Sequence, residues 1–78
     1  MYNYSKVSGK IVEHYGTQYN FAIAMGVSER TMSLKLNGKV PWKDTEIDKA
    51  CDLLDIDLQD VGAYFFDREV QNFELKSV

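Results

Sequence analysis

The sequence predicts a single all-α domain of five short helices, and three stretches carry that prediction. Residues 17–38, TQYNFAIAMGVSERTMSLKLNG, hold two capped helical segments separated only by Met25-Gly26-Val27. Further on, Ile47, Ala50, Cys51 and Leu54 fall at i, i+3, i+4 and i+7, the spacing of one buried helical face. Near the start, Val7, Ile11 and Tyr15 recur every fourth residue and give a second such stripe. A chain of 78 residues supports one domain, close to the lower size limit for a core without staples, and an apolar fraction of 45% is enough to build one. The domain is expected to span residues 1–66, with residues 67–78 as a C-terminal tail.

The first helix runs to about residue 15, after a loose lead-in, with Asn3 or Ser5 as its cap and Gly16 as its stop. Gly9 lies inside it, and marks either a propensity cost of roughly 1 kcal/mol relative to Ala or a close packing contact. Thr17 caps the second helix, because its hydroxyl accepts from an orphan N–H of the first turn; Gly26 ends it in the left-handed conformation. Ser28 caps the third, Glu29 suits the positive end of its dipole, and Asn37-Gly38 closes it. So short a connection forces the second and third helices to cross steeply, as in a helix-turn-helix, with Phe21, Ala22, Met25, Val27 and Met32 facing inward.

Pro41 disfavours helix at Val40, so residues 39–42 form a non-helical connection from which Trp42 packs back on the core. A fourth helix then runs from about residue 43 to 54 and turns its acidic side outward. A fifth is expected over 58–66, with Asp57 and Asp60 in a capping-box-like arrangement and Leu58, Val61 and Phe65 inward. Tyr64, Phe65 and Phe66 are too many adjacent rings for one side of a short helix, so at least one faces a partner or the tail. In the tail, Phe73 and Leu75 alternate with polar residues, which fits either a short strand paired across a dimer or a frayed end.

The charge is unevenly spread. The net charge is −3, yet residues 1–43 hold six basic and two acidic side chains, +4, whereas residues 44–78 hold three basic and ten acidic, −7. That asymmetry suits one face toward nucleic acid and another toward solvent or protein. Catalysis finds no support. His14 is the one histidine and has no ligand at metal-binding spacing; Cys51 sits in an apolar stripe; Ser5, Ser8, Ser28, Ser33 and Ser77 lack a base. No Gly-rich phosphate loop is present, and no metal, cofactor or small-molecule ligand is implied. The single cysteine, the want of any membrane-length apolar run and an N-terminus without a signal-like core point to the cytoplasm.

Gln18, Phe21, Ala22, Met25, Gly26, Val27 and Met32, with the trailing Asn37-Gly38-Lys39, resemble the helix-turn-helix of the phage repressor and Cro family, also called Xre-type regulators. The likeness extends from about residue 5 to about residue 66 and departs at one inward site, where the family usually has an aliphatic residue and this chain has Lys35. The third helix is therefore expected to seat by Met32 and Leu36.

The resemblance implies a lambda-repressor-like fold and sequence-specific binding of double-stranded operator DNA, as a small Cro-like transcriptional regulator, a repressor, of a phage or prophage switch. The implied DNA-binding residues are Gln18, Ser28, Glu29, Arg30, Thr31, Ser33, Leu34, Asn37 and Lys39. Arg30 would donate two bonds to guanine O6 and N7, worth roughly 1–3 kcal/mol of discrimination. Glu29 would accept from cytosine N4 or merely stabilise its helix, and Thr31 and Leu34 would meet thymine methyls. Gln18 would hold a phosphate at a helix N-terminus, and Asn37 and Lys39 would contact backbone beyond the groove, Asn37 doubling as a C-cap. A homodimer on a pseudo-palindromic site is the implied mode, with the aromatic end and tail as its contact.

A protein-interaction module is the rival reading. Small proteins of this fold also act in phage switches as antirepressors or modulators that bind a partner repressor. The pI near 4.9, Glu29 on the reading helix and an exposed Ile23 and Leu34 favour it.

Overall fold

The computed structural model describes residues 2–68. Five α-helices follow one another: α1 (Ser5–Tyr15), α2 (Gln18–Met25), α3 (Glu29–Leu36), α4 (Asp44–Leu54) and α5 (Val61–Phe65), with a 3₁₀ turn at Leu58–Asp60 leading into the last. Among the described residues no strand forms. An isolated antiparallel bridge joins Tyr2 to Arg68, and Asn3 N–H donates to the Asp67 carbonyl at 2.6 Å, so the expected loose lead-in is tied to the segment after α5. The tail strand and the dimer built on it lie outside the described residues.

Local chemistry sets the helix ends. Asn3 Oδ1 accepts from Ser5 N–H at 2.8 Å, which makes Asn3 the side chain that holds the start of α1, and Gly16 stops it at φ +78°. Thr17 Oγ1 accepts from Asn20 N–H at 3.1 Å and Ser28 Oγ from Thr31 N–H at 3.1 Å, as the cap chemistry requires. Three helices end in the same paired bonding. Val27 N–H reaches the Ala22 carbonyl around Gly26, Lys39 N–H reaches Leu34 around Gly38, and Ile56 N–H reaches Cys51 around Asp55. The third is the unusual one, because Asp55 holds φ +56° with a Cβ. Nothing lies within 4 Å of a Cβ built on Gly9, so no close contact explains that glycine.

α1 packs against all four other α-helices. The core it organises contains Val7, Ile11, Phe21, Ala22, Met25, Met32, Ala50, Cys51, Leu54, Ile56 and Phe65. Trp42 does pack back, its ring centroid 5.1 Å from Phe65 and 6.1 Å from Tyr4, and its Nε1 is buried with no acceptor among the described residues.

Two expectations are corrected. The fifth helix is not continuous over 58–66. Asp57 makes no side-chain cap, its carbonyl instead accepting from Asp60 N–H at 2.8 Å to close a 3₁₀ turn. The tighter winding swings Leu58 outward to 77% exposure, while Ile56 fills the core in its place. The second concerns the seating of α3, which holds only in part: Met32 is buried and Leu36 packs partly buried against the core as expected, but Lys35 is buried on the inner side as well. Its aliphatic stem replaces the expected aliphatic side chain, and its ammonium emerges at the start of α4.

Candidate functional site

The residues expected to read DNA lie at the start of α2, in and just before α3, and in the turn after it. Glu29, Arg30, Asn37 and Lys39 are exposed, and Gln18, Thr31, Ser33 and Leu34 are half-buried. Much of the polar chemistry there is spent inside the chain. Ser28 and Thr31 hydroxyls bond each other at 2.9 Å while Ser28 caps the helix. Asn37 Nδ2 donates to the Ser33 carbonyl at 2.8 Å, so this side chain braces the end of α3.

Charge is scarce among these residues. Of the three charged residues in α3, Lys35 points inward, which leaves Glu29 and Arg30 side by side with opposite signs. With Lys39 in the turn after α3 these residues sum to only +1, and so small a positive charge releases few counterions on contact with phosphates. Lys35 Nζ donates to the Pro41 carbonyl at 2.9 Å and pairs with Glu46 Oε1 at 2.8 Å. The same carboxylate accepts from Lys43 N–H at 2.8 Å and caps α4. Burial pushes the Glu46 carboxyl up, but the bonds and charges from Lys35 and Lys43 outweigh it and hold the group below its ordinary 4.5. This junction was not foreseen in the sequence. Its signal was a lysine at an inward helical position with a glutamate in the first turn of the next helix.

Apolar exposure is concentrated elsewhere. α2 carries no charged residue, and its outer side shows Tyr19 at 55% and Ile23 at 60% exposure. Val12 of the neighbouring α1 is 62% exposed. A helix that is apolar on both sides is normally covered on both. After α5 Phe66 is 48% exposed, edge-on to Tyr2 at 5.5 Å, so one of the three adjacent rings does face outward.

His14 is exposed on α1, and among the described residues no cluster of His, Cys, Asp and Glu is placed to hold a metal. Cys51 is buried, and its thiol is pushed up by that burial and by the charges of Asp48 and Asp52. No helix among the described residues is long and apolar enough to cross a membrane.

Comparison with known proteins corrects the resemblance drawn from the sequence. The family described as "Protein of unknown function (DUF739)" matches residues 1–68. Among solved structures, the chain is similar to the modulator of repression (MOR) of the temperate bacteriophage TP901-1 from Lactococcus lactis. The two are 61% identical, the match covers 90% of this chain and 95% of that one, and the TM-score is 0.76. No curated protein matches. The expected Cro-like, Xre-type helix-turn-helix repressor acting by operator binding is overturned by these matches, which favour the rival reading, a modulator working through a repressor. The near-neutral outer face of α3 gives the correction a physical basis.

Proposed function

The chain belongs to the DUF739 family, and on that footing we propose that it is a phage modulator of repression, which binds a repressor protein and alters that repressor's contacts with its operator. The observation that carries the reading is the 61% identity to a phage modulator of repression, over nearly the full length of both chains. Physical support comes from the surface. The outer side of α3 has one positive and one negative charge, and large apolar side chains stand exposed on α1, α2 and α5–Phe66. In this reading the α2–turn–α3 unit keeps a lambda-repressor-like arrangement as a scaffold for protein contact. Arg30 and its neighbours are then surface residues of that scaffold.

Co-purification with the repressor encoded beside its gene, followed by a gel shift of that repressor on its operator, tests the proposal. A stable complex that changes the repressor's shift is expected. Absence of a complex, with saturable operator binding by the protein alone, would refute it.

A further inference from the structure

We propose that the groove between α4 and the 3₁₀–α5 segment is the docking site for a basic amphipathic helix of the repressor, an assignment that rests on the function just given. One wall is a continuous face of α4, because Asp44, Ile47, Asp48 and Cys51 recur at i, i+3, i+4 and i+7. Leu58, Val61 and Phe66 form the other wall. Leu58 and Phe66, 77% and 48% exposed, stand at its lip in water. The cavity is about 250 Å³, below the roughly 300–1,000 Å³ usual for small-molecule sites. It suits the insertion of one or two apolar side chains from a helix.

Charge selects the occupant. Asp44 and Asp48 are exposed on the groove wall and take part in no ion pair among the described residues. Across residues 44–68 eight acidic side chains meet two basic ones, −6, and one of those two, Lys49, turns its ammonium to the Met25 carbonyl at 3.3 Å. An apolar floor with an acidic rim complements a helix whose apolar anchors are flanked by Lys and Arg. Such flanking cations are also what a DNA-bound helix offers to phosphates. Occupying them here withdraws them from an operator. The exposed Val12, Tyr19 and Ile23 are flanked by no comparable charge, so that face gives no preference for a basic partner.

The test is amide chemical-shift mapping of the ¹⁵N-labelled full chain, titrated separately with the purified neighbouring repressor and with a helical Leu/Lys peptide beside its Leu/Glu counterpart. Perturbation at Ile47, Cys51, Leu58 and Val61 by the repressor and by the Leu/Lys peptide alone is expected. Repressor binding that leaves these amides unmoved and perturbs α2 overturns the groove while keeping the function. A shift with the Leu/Lys peptide but none with the repressor upholds the groove's chemistry and sinks the function; silence from both sinks both. The Asp44→Lys/Asp48→Lys double variant and the separate Leu58→Lys variant, each checked for native helicity, should weaken the repressor by about tenfold or more, and Ile23→Lys should not. Equal affinity for all three variants and the wild type overturns the assignment.

Discussion

Cutting the Lys35–Glu46 junction from its two sides should have unequal consequences. The Lys35 side chain is 4% exposed and that of Glu46 is 18% exposed, so the lysine is the partner that cannot turn to water. Glu46→Ala leaves a buried ammonium with only the Pro41 carbonyl, and removes the acceptor for Lys43 N–H. Breaking a buried pair costs about 3–5 kcal/mol when one charge is stranded. Partial access of water at Glu46 argues for the lower end, so a loss of about 3 kcal/mol is expected, or roughly 12–24 °C in Tm for a domain of this size. Lys35→Met keeps the buried stem and strands no charge, because Glu46 still meets water, Lys43 N–H and the helix dipole. Its loss should stay below about 1.5 kcal/mol, mostly the Pro41 hydrogen bond. Lys35→Met in the Glu46→Ala background should then recover stability. Urea and thermal unfolding followed by circular dichroism at pH 7 measures all four forms. Equal losses for the two single variants, or simple additivity in the double, would refute the stranded-charge argument.

Other consequences follow from the same structure. Because the folded Glu46 carboxyl lies below its ordinary 4.5, its stabilisation is fully present above that value and disappears as pH falls through the folded one; urea midpoints between pH 6 and pH 3 should drop, and drop less in Lys35→Met. Gly9→Ala should raise stability by roughly 0.5–1 kcal/mol, since the site is helical with open space at the Cβ, and a lower Tm would contradict this. The Cys51 thiol, buried at the groove wall with its pKa raised by that burial and by Asp48 and Asp52, should react with a disulfide reagent much more slowly in the native protein than in urea, and equal rates in the two would contradict this.

Helix positions were legible in the sequence wherever a cap residue and an apolar period agreed. Thr17, Gly26, Ser28 and Gly38 act as their side chains or their lack of one dictate. Asp57 misled, because a cap-like residue is also satisfied by a backbone turn, and a 3₁₀ turn redirects Leu58 with no change in composition. Lys35 misled for a different reason. A lysine carries four methylenes that pack like an aliphatic residue, and only a partner eleven residues on, Glu46, makes its burial tolerable. Pairwise long-range compensation of this kind is invisible to a periodicity count. That same burial bears on the charge count, since it takes one of the six cations of residues 1–43 off the surface. The motif's spacing describes how two helices pack; it says little about which polymer the outer face meets.

Isothermal titration of the protein into the neighbouring repressor, and separately into the operator duplex at low salt, tests the central claim most directly. The account predicts saturable heat with the repressor and none with the duplex. Saturable, steeply salt-dependent binding to the duplex, without binding to the repressor, would contradict it.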